Sequence, residues 1–461
     1  MNSITDFLDL EDSEILISDS ETTGMTKTLT IETRPCIHFC PCCGFRMHSR
    51  GIKVRTVSHP ILQDGYHLVL RIRQRRWRCT NEKCRYETNE EFKFVSRRRR
   101  NTNATDFLII NEFLDLSASA VSIAEKFHTT DTHVMDIFDR YVKMDRLELT
   151  SIISIDEVCT DMGDDGRYAL VIQDFFTGDP IDIVRSRRSS VTEPYFASIP
   201  KEERLRVKYL LTDMYEGYST YVTKFFPNAV SVVDSFHVVQ WAVRAIDGYI
   251  RSLERQYRQR DRELWLEKHG ELPEGKEIPA SRELYLLRSF KWLILANRSN
   301  IRYRADLRMD NHLHCMMNTY DYEDALFKIS PRLRKLRDLK ELYVQFNLYD
   351  AGMPLKASED LEKIIETYMK SEDSIFIDFA GLLCKHKQAI INSFIIVEKS
   401  GPGGIYESRL SNGPIESMNR KIKDLKRLGR GFRNFEHFRN RFLFAARSNP
   451  VLNGIVRARR L

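Results

Sequence analysis

The feature that most restricts how this chain can fold is the order of short apolar segments between residues 151 and 239. SIISIDEV (151–158), RYALVIQDFF (167–176) and PIDIVRSR (180–187) read as strands, and the turn-rich GDDG and TGD between them link each to the next as a hairpin. A helical VTEPYFASIPKEERL precedes VKYLLTDM (207–214), a continuous apolar run ending in a carboxylate, as a strand buried on both faces requires. The helix YEGYSTYVTKFF and a fifth strand, AVSVVDSFHVV (229–239), complete a β-β-β-α-β-α-β order.

That order is the one of an RNase H-like fold, a mixed five-stranded sheet with helices, in which the first and fourth strands lie side by side. It brings Asp156, on the first strand, next to Asp213, at the end of the fourth. Adjacent carboxylates repel unless a cation bridges them, and ligands that are all oxygen suit magnesium. Two-metal phosphoryl chemistry then needs a third carboxylate. The candidate is Glu416, in SNGPIESMNRKIKDLKRLGR (411–430), where Pro414 suits the first turn of a helix. Ile415, Met418, Ile422 and Leu425 mark the apolar face of that helix. Glu416, Asn419, Arg420, Lys423 and Arg427 form the opposite stripe: a carboxylate in the first turn, then groups for a phosphate backbone.

The cysteines are unevenly placed, with six of nine between Cys36 and Cys84. Cys40-x2-Cys43 and Cys79-x4-Cys84 carry paired thiolates on two knuckles, the pattern of a structural zinc ribbon with no open coordination position. Cys36, Cys42, His38 and His48 are possible substitutes, and the 35-residue spacer holds GYHLVLRIRQRRWRC, which reads as a hairpin. Next come helical AVSIAEKF (120–127), a polar HTT and helical DTHVMDIFDRYV (131–142), the grammar of a helix-turn-helix. Asp131 would cap the second helix, Val134, Ile137 and Phe138 would pack inward, and Thr130, Thr132, His133 and Asp136 would face a groove.

Lys and Arg number 72 against 65 Asp and Glu, so the net charge of +7 says little about a polyanionic partner. Local runs say more. RIRQRRWR (71–78), SRRRR (96–100) and NRKIKDLKRLGRGFR (419–433) offer Arg75, Arg76, Arg97 and Arg98, besides the stripe above, as contacts to double-stranded DNA.

The 461 residues call for several domains, and 42% hydrophobic with 30% charged residues supplies real cores while excluding global disorder. No apolar run is long enough to span a bilayer. The acidic start, where an export signal would be basic, leads us to expect a cytoplasmic, nucleoid-associated protein. The expected division is an acidic N-terminal arm (1–35), zinc ribbon (36–100), helix-turn-helix (101–150), first part of the core (151–237), all-helical insertion (238–403), last part of the core (404–447) and a basic tail (448–461). In the insertion, Trp241, Trp265 and Trp292 fall at helical spacing, which favours core packing over base stacking. In GFRNFEHFRNRFLFAAR (431–447), the row Phe432, Phe435, Phe438 and Phe442 would pack against the sheet.

Together, the ribbon, the helix-turn-helix, SIDE, TDMYEGY, VVDSFHVV and SNGPIESMNRKIKDLKRLGRGFRNFEHF resemble the DDE transposases of bacterial insertion sequences in the ISL3 family, over about residues 36 to 447. The resemblance implies magnesium-dependent cutting and joining of double-stranded DNA, with manganese as a substitute. It further implies terminal inverted repeats read by the N-terminal modules and a homodimer or larger assembly on paired ends. It makes Asp156, Asp213 and Glu416 the triad and likens Asp234-x2-His237 to a motif after the second Asp of related enzymes. Asp213 and Asp234 each end or follow a strand; Asp213 is preferred because the fourth strand lies beside the first. Two alternatives stand: an RNase H-like nuclease or resolvase that cuts without joining, and a domesticated DNA-binding regulator.

Overall fold

The computed structural model describes residues 10, 14–60, 67–162, 167–214, 216–273, 277–349, 352–401, 403–429, 432 and 434–450. The GDDG turn, Tyr215, Arg433 and the terminal VRARRL lie outside them. The chain forms two compact units, one of Met1–Arg146, Cys159–Tyr168 and Arg420–Leu461, the other of Leu147–Val158 and Ala169–Asn419.

In the first unit, β1 (Ile15–Thr23) and β2 (Thr26–Thr33) form a hairpin that turns at Gly24, whose φ of +57° favours glycine. β3 (Met47–His59) pairs antiparallel with β4 (His67–Cys79), and β2 joins β4 in parallel. The short β5 (Glu87–Asn89) pairs with the far end of β4. Residues 15–33 are therefore part of the sheet of β3 and β4 rather than a separate acidic arm. Their charges lie beside the basic strand, with Glu21 3.7 Å from Arg71 and Glu32 3.5 Å from Arg73. GYHLVLRIRQRRWRC is not itself a hairpin: from His67 to Cys79 it is one strand, whose alternation buries Leu68, Leu70 and Ile72 on one face and changes phase across the Arg and Gln run, so that Trp77 and Cys79 are the next buried side chains.

α1 (Asn103–Glu112), α2 (Ala120–Lys126) and α3 (Asp131–Tyr141) follow. Ser119 and Ser122 form a capping box on α2. On α3 the cap is Thr130, which accepts the His133 amide, and Asp131 sits one residue inside, because the extended backbone that a cap needs falls at 130. Val134, Ile137 and Phe138 are fully buried, as their spacing predicts.

The second unit begins with β6 (Ile152–Cys159), β7 (Tyr168–Asp174) and β8 (Pro180–Val184). α4 (Ser189–Ser198), α5 (Lys201–Leu205), β9 (Tyr209–Thr212), α6 (Glu216–Phe225) and β10 (Val230–Val233) follow. The strand order is β10-β9-β6-β7-β8. β6 runs parallel to β9, and β9 parallel to β10. Apolar side chains cover both faces: Ile153, Ile155 and Leu210 enter one core, Ile152, Leu211 and Val232 another. The first and fourth strands are neighbours and the fifth is further out, as expected.

The fifth strand is shorter than its apolar run. It stops at Val233, since the Asp234 carboxylate accepts the Phe236 amide (2.6 Å) and starts α7 (Ser235–His269), a 35-residue helix. α8 (Arg282–Phe290) and α9 (Trp292–Leu295) lead to a small hairpin of β11 (Arg308–Asp310) and β12 (Cys315–Met317). Next come α10 (Thr319–Ile329), α11 (Pro331–Tyr349), α12 (Pro354–Met369) and α13 (Ser374–Asn392). β13 (Ile396–Gly401) and β14 (Gly404–Arg409) then precede α14 (Gly413–Leu428). The insertion is thus not all-helical; it carries two hairpins and starts at 235. Trp241 stacks on Phe379 in its core, whereas Trp292 is exposed.

The last helix, α15 (Phe435–Ala446), returns to the first unit. Phe435, Phe438 and Phe442 of the predicted row are buried, and Phe444 beside them meets Phe138 of α3 edge to face, with Phe138 also meeting Phe113. The buried Arg441 guanidinium donates to the carbonyls of Phe113 and Asp115, both at 2.6 Å, holding the end of α1.

Candidate active site

Asp156 lies on β6, with half-buried Asp213 just beyond β9. The pairing of Ile152–Ser154 with Tyr209–Leu211 sets this proximity. Burial, with Asp213 and Glu157 adding repulsion, pushes the Asp156 carboxyl up to about 6, against the pull of the Glu157 amide and His237. Asp156 Oδ1 accepts that amide at 2.7 Å, and Oδ2 accepts the Asn419 side-chain amide at 2.7 Å.

Asn419 is the clearest departure from the sequence reading. It is 263 residues away in the chain from Asp156 yet bonded to it, and it is buried, so it does not stand in the exposed row with Arg420, Lys423 and Arg427. It sits three residues after Glu416 on α14, and the two therefore lie on one helix face. The apolar face of α14 seats as predicted, with Ile415, Met418, Ile422 and Leu425 buried. His237 lies in the first turn of α7 with Nε2 3.7 Å from Glu416 Oε1. Asp156, Asp213, His237, Glu416 and Asn419 thus form one linked neighbourhood inside the second unit.

Asp234 is bonded to backbone amides. It is buried, with one oxygen capping α7 and the other accepting the backbone amide of Asn412. The Asn412 carbonyl in turn accepts the Glu416 amide at 3.0 Å, in the first turn of α14. Asp234 therefore ties the start of one helix to the start of the other, and both its oxygens are engaged. Glu157 is held by the Tyr218 hydroxyl (2.8 Å) and by Arg187. Burial, with Glu157 next to it, pushes the Tyr218 hydroxyl far up, leaving it a donor and a poor nucleophile. Sequence reasoning missed Asn419 as a carboxylate partner, and missed Glu157 and Asn412. The three-residue spacing from Glu416 is the only signal that pointed to the first.

The second cluster is in the first unit. Among the described residues, Cys40, Cys43, Cys79 and Cys84 alone form a group of metal-ligand side chains with donor atoms all within 4.8 Å. The contacts Cys40–Cys84 (3.7 Å) and Cys43–Cys79 (3.4 Å) approach the spacing of roughly 3.8 Å that sulfurs about 2.3 Å from one tetrahedral zinc would have. The knuckles are backbone-made: Gly44, at φ +72°, donates to the Cys40 carbonyl, and the Cys84 amide donates to Asn81. Burial would raise the Cys40 thiol, but the Cys42 and Cys43 amides and the neighbouring thiols bring it down to about 7. Cys36 and Cys42 are exposed and outside the group, and His38 packs on Trp77.

The remaining DNA-contact candidates divide. Arg76, Arg97, Arg98 and Thr132 are exposed. Arg75 turns inward to the carbonyls of Thr33 (3.0 Å) and Arg34 (3.2 Å) and to Glu90. His133 is partly covered, with Nε2 2.9 Å from the Asn101 side chain.

A mixed sheet with acidic residues on two adjacent strands, and a third on a helix from a distant part of the chain, has the framework of a DDE-type core. A family model described as a transposase, that of the ISL3 group of DDE transposases, matches residues 153–442, more than half of the chain. The chain belongs to this family. It is 25% identical over 316 residues, 66% of its length and 71% of the relative's, to the transposase for insertion sequence element IS1001 of Bordetella parapertussis. It is 23% identical over 302 residues to the transposase for insertion sequence element IS1557 of Mycobacterium tuberculosis, covering 64% of this chain and 60% of that relative. No helix among the described residues is long and apolar enough to cross a membrane.

Proposed function

We propose that this chain binds the terminal inverted repeats of an insertion element, cuts the DNA at their ends and joins those ends to target DNA. The observation that carries the reading is the convergence on one neighbourhood of Asp156 and Asp213, from paired strands, and Glu416, from a helix roughly 200 residues further on. The oxygen donors of these three residues fit a hard divalent cation, magnesium or manganese. Such cations would polarise the scissile phosphodiester and lower the pKa of the attacking water or 3′ hydroxyl. Asn419 orients Asp156 by holding Oδ2, the Glu157 amide holds Oδ1, and Asp234 fixes the turn from which Glu416 projects. Arg420, Lys423 and Arg427, exposed beyond them on α14, would take backbone phosphates.

The four thiolates would hold a structural zinc, and the sheet and helices of the first unit would read the element ends through Arg76, Arg97, Arg98 and Thr132. With Tyr218 committed to Glu157, no covalent tyrosine intermediate is called for. Assembly as a homodimer or larger complex on paired ends, in the cytoplasm with the nucleoid, completes the proposal.

The test is incubation of the protein with linear DNA bearing the element's own termini and magnesium, with products mapped at nucleotide resolution. End cleavage leaving 3′ hydroxyls, followed by joining of pre-cut ends to a second duplex, is the expected result. Cleavage without joining would establish a nuclease or resolvase instead. Binding that is unchanged in EDTA, with DNA left intact in magnesium, would establish a regulator.

A further inference from the structure

The hairpin of β11 and β12 in the second unit has a function to be explained. Its inner face is firmly anchored. The buried Asp310 carboxylate accepts the hydroxyls of Tyr285 (3.0 Å) and Tyr322 (2.7 Å) and the amides of His312 and Leu313 (both 2.9 Å). The Tyr285 ring stacks on His312 at 4.0 Å, and Tyr322 stacks on Phe290 at 3.7 Å. Four hydrogen bonds on one carboxylate fix the turn in a single conformation.

The outer face is the reverse of what a solvated hairpin presents. Met309 and Met316 are directly opposite one another and 61% and 52% exposed, and Leu307 beside them is 54% exposed. They form an apolar ridge on a rigid support, which costs free energy unless something covers it. The chain around the ridge is cationic. Arg302, Arg304 and Arg308 are exposed, and Asp306 is the one exposed acid between 302 and 316 among the described residues. None of the ion pairs found among the described residues includes these three arginines.

We propose that this hairpin is a wedge for duplex DNA: Met309 and Met316 enter a base step from the minor groove, and Arg302, Arg304 and Arg308 hold the phosphates on either side. An apolar wedge flanked by cations matches the chemistry of a kinked duplex, where partial unstacking is offset by new backbone contacts. A second copy of this chain is a poorer occupant, because a two-fold contact through the ridge would set these cations against their own counterparts. The inference rests on the reading of the protein as a DNA-end-processing enzyme and adds to it the element that deforms the DNA.

The probe is a duplex carrying an element terminus and its flanking sequence, with 2-aminopurine placed at successive positions. The wild-type chain should raise the fluorescence at one base step, which reports unstacking. The variant M309S/M316S should lose that signal while binding within about threefold of wild type, since wedge residues contribute little non-specific affinity. The variant R302A/R304A/R308A should bind about tenfold or more weakly, with the slope of log K against log salt reduced by about 3. Circular dichroism melts identical to wild type would show that both variants fold.

A 2-aminopurine signal that survives M309S/M316S overturns the wedge, and so does a change in the mass of the free protein on that substitution, which would make a second copy the occupant. If the wild type cuts element ends and both variants match it in every readout, the wedge falls and the enzymatic reading stands. If the wild type neither binds nor cuts element ends, both fall.

Discussion

The two candidate ligand clusters of this chain are built in opposite ways. The four thiolates come from two short knuckles at the ends of paired strands, and each knuckle is shaped by its own backbone hydrogen bonds and a residue of positive φ, Gly44 in one and Arg85 in the other. The carboxylates come from two parallel strands and a helix far downstream, and they are held by the Asn419 and Asp234 side chains and the Asn412 backbone. A thiolate cluster of this sort needs only local geometry and a metal to close. The acidic site needs the sheet register, the whole insertion and the seating of α14, so its precision depends on tertiary packing.

The largest expected effect separates chemistry from stability. Asp156→Asn should lower end cleavage by about a thousandfold or more while leaving binding of end DNA within a few-fold. The same variant should be more stable than wild type without metal. Burial raises the Asp156 carboxyl to about 6, so its ionised form is disfavoured in the fold above that pH, and the cost disappears toward the ordinary carboxylate range near 4. A gain on the order of 1–3 kcal/mol at pH 7.5, absent at pH 4, is expected from denaturant titration. Equal stability at pH 7.5 would mean that Asp156 is not strained by its surroundings.

Next in size is the thiolate cluster. Cys79→Ser should remove about one zinc per chain and weaken end-DNA binding about tenfold or more, with manganese binding at the carboxylates unchanged. Parallel loss of manganese binding would break the contrast between a locally built and a globally built site.

Asp213→Asn should match Asp156→Asn in cleavage, whereas Asp234→Asn should act through structure. An asparagine can keep the cap of α7, but its amide nitrogen cannot accept the Asn412 amide, so the lost tie should cost about 1–3 kcal/mol, and cleavage should fall by roughly ten- to a hundredfold, with added manganese restoring part of it. Full loss in Asp234→Asn with retained activity in Asp213→Asn would reverse the two roles.

Asn419→Ala should reduce cleavage about tenfold and raise the magnesium concentration needed for half-maximal rate, because a supporting hydrogen bond to a ligand carboxylate typically carries a factor of 10–100. Unchanged magnesium dependence together with weaker DNA binding would return Asn419 to the phosphate-contacting row.

The smallest effect concerns Asp161. Hydrogen bonds from Lys426 and Arg167 hold its carboxyl down to about 2. A depressed carboxylate contributes stability that is complete above the ordinary range near 4 and is lost as pH falls through about 2. Asp161→Asn should lower the melting temperature slightly at neutral pH, and the difference should shrink as the pH falls toward and below 2.

What the sequence determined by itself was whatever depends on short-range pattern. Alternation and apolar runs located the five strands of the core sheet, and the chain order placed β6 beside β9. Cysteine spacing selected the four thiolates, and the 3-4-3 spacing of Ile415, Met418, Ile422 and Leu425 set the face of α14. The apolar run of the fifth strand overshot because hydrophobicity does not reveal a cap: Asp234 ends the strand only through a bond to an amide two residues on. Tertiary structure alone decided the roles of polar residues whose partners are distant in the chain. Asn419 reads as one more polar residue on a basic stripe until α14 seats and turns it toward Asp156. Arg75 reads as a surface cation until β2 brings the Thr33 carbonyl within reach. Glu21 and Glu32 had no legible role until the parallel pairing of β2 with β4 brought them beside Arg71 and Arg73. The physical reason is common to all three: burial makes a polar group's partner its dominant energy, and spacing along the chain carries no information about a partner that folding brings from elsewhere.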